Sequence, residues 1–362
     1  MRQVLSYNIH DVVRFQIHRD RGLDYWDLVD LKFSPFRTES VDSPDVVLNI
    51  GKFAPSNAGC YVIDHNYHIR DNYFYCRDSE GKASWEAEIA GFDHGDTTIN
   101  FNPSVRLSMQ PASLLYTPLF LPQAFLLRII ESKLITKGRF LAHAGAVARD
   151  NQAYVLSGRA GCFKTTLCME FVRAGFTWLG DDRVILGGDE VMGFPTNPAM
   201  FAFMLRHLQD ETQWGLLRQL QFYAQCVAGG DGRKRRTAAE SARLKAVLLI
   251  AKSAGSDREV TFSAVPQSRL DQTVERLIVS ARLEDFKGLA HFGIRSGPFL
   301  KYMLAYAYVF PNSLVATQER EAAENLRNTL RDVPMYDVLI PRKYGRHVFE
   351  RIHDFIDREC GS

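Results

Sequence analysis

The sequence lacks the features that mark several large classes of protein. Its cysteines form no CxxC pair and no regular spacing, so they predict neither a zinc ribbon nor a disulfide framework. A reducing, cytoplasmic compartment fits this usage best. The motifs HExxH, GxSxG and GxGxxG are also missing, which argues against a zinc protease, a serine-nucleophile elbow and a dinucleotide-binding fingerprint. The six cysteines are Cys60, Cys76, Cys162, Cys168, Cys226 and Cys360.

Strong net charge and long apolar runs are missing as well. The formal net charge is +2 over 362 residues, so nothing global requires nucleic acid or an anionic membrane as a partner. Charged residues interrupt the N-terminal apolar runs before they reach the length of a signal-peptide core. The most membrane-like stretch, residues 112–130, contains two prolines, and we interpret it as a loop leading into a buried helix rather than a membrane span. The basic cluster Arg233–Arg236 is typical of a solvated loop, with an acidic ligand as the alternative.

The pattern of short apolar segments predicts two modules. In residues 1–136, short strand candidates alternate with Gly, Asp and Asn, which is typical of an antiparallel, β-rich module. In residues 137–362, strands alternate with helices, which predicts an α/β domain. The predicted strands are residues 46–50, 61–63, 73–76, 97–101, 153–156, 176–180, 183–186, 244–251 and 335–340, and the predicted helices are residues 123–137, 165–174, 270–283 and 345–358.

The segment GRAGCFKTT lies between a predicted strand and a predicted helix, which is the context of a phosphate-binding P-loop. The glycines let loop N–H groups point at phosphate oxygens, and the helix N-terminus adds free N–H groups and a positive dipole end. We expect Lys164 to contact the β- and γ-phosphates of ATP, and the Thr165 hydroxyl to bind Mg²⁺. The predicted cofactor-binding residues are Gly158, Arg159, Ala160, Gly161, Cys162, Phe163, Lys164, Thr165 and Thr166.

One position departs from the usual GxxxxGK[ST] pattern, because Phe163 stands where a glycine is expected. If this position needs a positive φ, a phenylalanine costs about 1–2 kcal/mol there, and its ring must stay clear of the nucleotide. Two functions therefore stay open. One is a kinase, and the other is a nucleotide- or peptide-binding module in which Phe163 blocks transfer of the γ-phosphate.

Asp181 and Asp182 follow a predicted strand, seventeen residues after Lys164. A helix followed by a returning strand can bring the end of that strand back beside the phosphate loop. Of two adjacent carboxylates there, one could hold Mg²⁺ and the other could accept a proton from an attacking hydroxyl. The alternative is a polar junction between a strand and a turn, where Asp is common.

Residues 141–186 resemble the core of the HPr kinase/phosphorylase family, which shares a fold with phosphoenolpyruvate carboxykinase. The resemblance rests on His143 in the segment HAGAV, the phosphate loop, Gly175 at the end of the helix, and the segment Asp181-Asp182-Arg183-Val184. Outside these residues the similarity is only in layout. The resemblance implies an HPr kinase/carboxykinase-like α/β core, joined here to a different, β-rich N-terminal module.

The resemblance also implies a Mg²⁺-dependent kinase that transfers the γ-phosphate of ATP to a hydroxyl. It implies that Asp181 is the general base, that His143 and Lys164 lie near the transferred phosphate, and that Thr165 and Asp182 serve the metal. Without the resemblance, a structural role for His143 is the better interpretation. The expected acceptor is a serine of a peptide or small protein, with a small-molecule hydroxyl as the alternative. A third hypothesis is carboxykinase-like chemistry on a small acid, which needs an additional metal site and anion-binding arginines. The family resemblance also implies assembly of several subunits.

Overall fold

The structure, a computed structural model, describes residues 2–20, 33–80, 83–105, 125–195, 240–254, 259–288 and 298–360. The chain divides into two compact units. The first consists of Met1–Gly138 and Arg282–Ala322, and the second of Arg139–Ala281 and Ala323–Ser362. Each unit combines a large sheet with helical segments, which confirms the predicted α/β class.

The first unit contains a nine-stranded sheet in the order β3-β1-β2-β4-β9-β8-β7-β6-β5. Strand β4 pairs in parallel with β2 and β9, while the other neighbours are antiparallel. The predicted antiparallel module is therefore wrong in this respect. Parallel neighbours need crossover connections, which the turn residues did not reveal. The strands are β1 (Arg2–Ile9), β2 (Val13–Asp20), β3 (Arg37–Thr38), β4 (Val46–Ile50), β5 (Tyr61–Ile63), β6 (Tyr67–Arg70), β7 (Tyr73–Glu80), β8 (Ala83–Ala90) and β9 (Thr97–Val105).

The second unit contains another nine-stranded sheet. Its order is β10-β14-β15-β16-β12-β11-β13, and β18 pairs with both β16 and β17. Strands β12, β16 and β18 run parallel. Because parallel strands are covered on both faces, β12 and β16 each contain five consecutive buried residues. The strands are β10 (Phe140–Ala142), β11 (Ala144–Arg149), β12 (Gln152–Gly158), β13 (Thr177–Gly180), β14 (Val184–Gly187), β15 (Glu190–Gly193), β16 (Ser241–Lys252), β17 (Thr261–Ala264) and β18 (Met335–Ile340).

The helices of the described residues are mostly short, and none of them is long and apolar enough to cross a membrane. They are α1 (residues 125–136), α2 (Lys164–Arg173), α3 (Leu270–Gly288), α4 (Pro298–Val309), α5 (Leu314–Leu330) and α6 (Arg346–Phe355). Short 3₁₀ turns cover Ser34–Phe36 and Gln267–Arg269, and a π-helical turn covers Ile356–Cys360.

Helix α4 belongs to the first unit and is tied to its sheet by a buried polar contact. The Trp85 indole N–H donates to the Tyr302 hydroxyl at 2.8 Å, and that hydroxyl donates to Asp78 Oδ2 at 3.0 Å. The ring of Phe125, on α1, packs 5.7 Å from the Tyr302 ring. Residues from two helices and two strands thus share one core.

Helix α2 ends where its sequence predicts. Its apolar residues Leu167 and Phe171 are buried in the core of the second unit. The helix ends at Arg173, and Gly175 follows with a φ of +94°. The Phe176 N–H donates back to the Phe171 carbonyl at 3.0 Å, which is the pattern of a left-handed C-terminal cap. The predicted stop signal at Gly175 is confirmed.

The two units differ from the predicted domains in one respect. The predicted boundary after residue 136 lies close to the division after Gly138, but residues 282–322 belong to the first unit. The assignment of catalysis to residues 137–362 stays a prediction. Residues 112–124 of the membrane-like stretch and the basic cluster Arg233–Arg236 lie outside the described residues. All four cysteines whose side chains are described, Cys60, Cys76, Cys162 and Cys168, are free thiols.

Candidate functional site

A tight loop connects strand β12 to helix α2. The strand ends at Gly158 and the helix begins at Lys164. Gly161 and Phe163 both have left-handed backbone conformations, with φ values of +82° and +60°, and the Cys162 N–H closes a turn onto the Arg159 carbonyl at 3.1 Å. The first N–H groups of α2 have no acceptor within the helix, and they carry its partial positive charge. The Gly158–Lys164 loop therefore suits an anion.

Gly158 is required by the close approach of two parallel strands. It pairs with Ile250 on β16, and a Cβ added to Gly158 would lie 2.5 Å from the Ile250 carbonyl oxygen. A second close approach occurs on β11, where a Cβ on Gly145 would lie 2.7 Å from the Cys168 sulfur of α2. These two glycines let β16, β11 and α2 pack directly around the start of the loop.

Phe163 accepts the conformation that a glycine would adopt freely. It is the N-cap of α2, with φ 60° and ψ 24°. The Lys252 ammonium lies 3.7 Å from the centroid of the Phe163 ring, and the Tyr344 ring packs edge-on at 5.3 Å. A left-handed phenylalanine costs about 1–2 kcal/mol. The cation–π contact offsets about 0.5–1 kcal/mol of it, and the aromatic pair about 0.5–1.5 kcal/mol.

Lys164, His143 and Asp182 form a continuous polar row. The buried Lys164 ammonium donates to the Gly158 carbonyl at 2.8 Å and lies 3.1 Å from His143 Nε2. Nδ1 of the same ring lies 3.3 Å from Asp182 Oδ1. An ammonium group can only donate, so its contact with Nε2 is a hydrogen bond when the imidazole proton sits on Nδ1, which faces Asp182. His143 is 4% exposed, so it links a buried cation to a carboxylate that is half exposed.

The pairing of β13 with β11 explains why Asp182 lies beside His143. Gly180, the last residue of β13, is opposite Ala146 on β11, and the backbone of Asp181 packs 3.6 Å from a Cβ position on Gly145. The turn that follows β13 therefore lies beside the start of β11, where His143 stands. Of the predicted site residues, Lys164, His143 and Asp182 are in contact, and Asp181 is their immediate neighbour.

The two threonines at the start of α2 offer hydroxyl groups. Thr165 is half-buried. Thr166 Oγ1 is fully buried and has no hydrogen-bond partner in the described part of the chain. A buried hydroxyl without a partner is costly, and a bound anion is one group that would satisfy it. The Thr165 hydroxyl and the Asp182 carboxylate are oxygen donors of the type that Mg²⁺ prefers, so the residues present fit this ion.

Sequence reasoning missed Lys252 and Tyr344. Lys252 ends β16, the apolar strand that was predicted. Its parallel pairing with β12 places that end at the same edge of the sheet as the loop, so the strand order was the missing signal. Tyr344 precedes α6 in a short connection, and no local pattern marks it.

Comparisons with known proteins add little to this geometry. No known protein family matches the chain, and no curated protein matches it. Among solved structures, the Hpr(Ser) kinase/phosphatase from Coxiella burnetii is similar over 40% of this chain and 97% of that chain, with 13% sequence identity and a TM-score of 0.21.

Proposed function

We propose that this protein is a Mg²⁺-dependent kinase that transfers the γ-phosphate of ATP to a hydroxyl, with an HPr kinase/carboxykinase-like core in its second unit. The observation that carries the proposal is the polar row of Lys164, His143 and Asp182 at the N-terminus of a helix that follows a glycine-rich loop. These residues come from three separate segments of the chain, and a cation, an imidazole and a carboxylate that meet beside a helix N-terminus are the groups expected of a phosphate-transfer site. The proposed acceptor is a serine of a peptide or small protein, with a small-molecule hydroxyl as the alternative.

Each residue of the row has a chemical task in this proposal. The loop N–H groups bind the phosphates, and Lys164 exchanges the Gly158 carbonyl for phosphate oxygens whose charge it neutralises. Thr165 and Asp182 would hold Mg²⁺, which supplies further charge neutralisation when bound. His143 keeps Lys164 and Asp182 in place.

Asp181 is the proposed general base. The acceptor oxygen attacks the γ-phosphorus, the bond from that phosphorus to the β-phosphate oxygen breaks, and ADP leaves with the bonding electron pair. The hydroxyl proton moves to the Asp181 carboxylate. The contacts of Phe163 with Lys252 and Tyr344 support this active kinase over a blocked loop, because they hold the ring against β16 and the segment before α6.

The first experiment measures ATP binding by calorimetry with and without Mg²⁺. Lys164→Ala removes charge-assisted hydrogen bonds worth about 1.5–3 kcal/mol, so we expect its ATP affinity to fall about 10- to 100-fold. Lys301→Ala, which changes an exposed lysine of the first unit, is the control and should bind like the wild type. Normal ATP affinity in Lys164→Ala would contradict the proposed phosphate site.

The second experiment separates binding from chemistry. Asp181→Asn should keep ATP affinity and lose about 10²- to 10⁴-fold in turnover, because it removes the general base. Asp189→Asn, at an exposed aspartate, is the matched control and should turn over ATP normally. Normal turnover in the Asp181→Asn protein would contradict the assignment of Asp181 as the general base. ATP binding without any turnover in the wild type would favour the non-catalytic binding module.

A further inference from the structure

The second unit holds a pocket of about 510 Å³ beside the Gly158–Lys164 loop. It is lined by the end of β12, part of the loop, the end of β16 and one face of α3. Because β12 and β16 are parallel neighbours, the pocket lies at the carboxyl ends of parallel strands, where ligands of α/β sheets bind. Its volume is in the range of small-molecule sites, which is about 300–1,000 Å³.

The pocket and the polar row are formed by different residues. Gly158 and Cys162 line the pocket, whereas Lys164, His143 and Asp182 are not among the described residues that line it. A nucleotide whose phosphates lie on the loop, with its γ-phosphate at the polar row, must extend its other end past the loop. We propose that the pocket binds the nucleobase of the phosphate donor and that Ser280 is the residue that recognises the edge of the base. This inference rests on the proposed function, which does not assign a place to the base of the nucleotide.

The walls of the pocket suit a flat heteroaromatic ring. Leu249 and Val279 contribute apolar side chains, which favour burial of the faces of a base. Arg276 also lines the pocket, and its guanidinium is held by Asp337 Oδ1 at 2.9 Å. A guanidinium that is fixed in this way can stack on the face of a base.

Asp337 keeps this arginine in place at neutral pH. Burial raises the pKa of the Asp337 carboxyl, but hydrogen bonds from Arg276 and Arg269 outweigh the burial and leave the pKa below its ordinary value. The carboxylate is therefore charged over the whole neutral range. The charged pair leaves the position of Arg276 independent of small changes in pH.

Ser280 provides an independent observation that points to a ligand. It lines the pocket and is 7% exposed, and its Oγ has no hydrogen-bond partner in the described part of the chain. A buried hydroxyl without a partner loses free energy that a hydrogen bond would recover. The ring nitrogens and exocyclic groups of a base offer such partners. Glu275 and Gln272, about one and two turns earlier on the same helix, line the pocket as well. They add a carboxylate and an amide that can bond to the base or to ribose hydroxyls.

The test compares a nucleotide with a ligand that has phosphates but no base. The affinities of ATP and of inorganic tripolyphosphate are measured by calorimetry for the wild type, Val279→Trp and Leu283→Trp. Val279 and Leu283 lie one turn apart on α3 and are 40% and 38% exposed, but only Val279 is among the lining residues. We expect Val279→Trp to lower ATP affinity about tenfold or more and to leave tripolyphosphate affinity unchanged. Leu283→Trp should change neither.

A second variant tests the hydroxyl without filling the pocket. Ser280→Ala should weaken ATP about fivefold, change the preference between ATP and GTP, and leave tripolyphosphate binding unchanged. If tripolyphosphate binding depends on Lys164 but Val279→Trp leaves the ATP affinity unchanged, the base pocket is overturned while the proposed phosphate site stands. A higher KM for a peptide acceptor in Val279→Trp, at unchanged ATP affinity, would assign the pocket to the acceptor instead. A wild-type protein that binds neither ligand would overturn this inference and the proposed function together.

Discussion

Phe163 allows the backbone of the Gly158–Lys164 loop to be tested by stability measurements. Its φ of 60° is unfavourable by about 1–2 kcal/mol for any residue with a Cβ. Phe163→Gly and Phe163→Ala both remove the contacts of the ring with Lys252 and Tyr344, so this loss cancels when the two variants are compared. The difference in stability between the two variants therefore reflects only the backbone conformation at position 163. Glycine relieves the strain, but it loses about 0.5–1 kcal/mol more conformational entropy on folding.

We therefore expect Phe163→Gly to be more stable than Phe163→Ala by about 0.5–1 kcal/mol. Glu170, inside α2 with ordinary helical geometry, gives the matched control. There Ala should be more stable than Gly by about 1 kcal/mol, so the preference reverses between the two positions. Urea denaturation of the four variants measures both differences.

An alanine at position 163 that is as stable as a glycine would refute the left-handed backbone. The same variants bear on activity. If the ring stays against Lys252 and Tyr344, Phe163→Gly should leave ATP affinity and turnover within a few-fold of the wild type. Turnover that appears only in Phe163→Gly would show that the phenylalanine blocks the loop.

Three further predictions concern single contacts. Gly158→Ala should destabilise the protein by about 2 kcal/mol or more, because the added Cβ would meet the backbone of Ile250. Gly161→Ala has open space around its Cβ and should cost only about 1 kcal/mol of backbone strain. Equal losses of stability in chemical denaturation would contradict the close approach at Gly158. Tyr302→Phe should cost about 1–3 kcal/mol, since it leaves the buried Trp85 N–H without its acceptor; an unchanged thermal midpoint would argue against this contact. The lowered pKa of Asp337 adds stability that is present above its ordinary pKa of 3.8 and is lost as the pH falls further. The stability difference between the wild type and Asp337→Asn should therefore shrink below about pH 4; a pH-independent difference would count against the two arginine contacts.

Local patterns predicted the elements that position the site. The predicted strand at 335–340 and the predicted strands at 46–50 and 61–63 match β18, β4 and β5. The strand before the loop and the helix after it were predicted to within a few residues of β12 and α2. These segments share a feature: each is a largely apolar run that ends at or near a glycine, an aspartate or a proline.

Other elements have no such local signal. Strand β11, AGAVAR, consists mainly of small residues, and their burial depends on the two neighbouring strands in the sheet. Helix α4, PFLKYMLAYAYV, is rich in aromatic residues that also favour strands. Its place in the first unit depends on Tyr302, which contacts residues more than 200 positions earlier in the chain. No pattern within a short window contains that information.

The sequence by itself determined the loop, the helix that follows it and the chemical types of the side chains available there, because turns, caps and helix starts depend on residues that are neighbours in the chain. Only the tertiary structure decided that His143 stands between Lys164 and Asp182, that Lys252 covers the ring of Phe163, and that a pocket opens beyond Gly158. These arrangements follow from the order of β11, β12, β13 and β16 in one sheet. Strand order is set by burying the surfaces of all the strands together, and that is a property of the whole unit rather than of any segment.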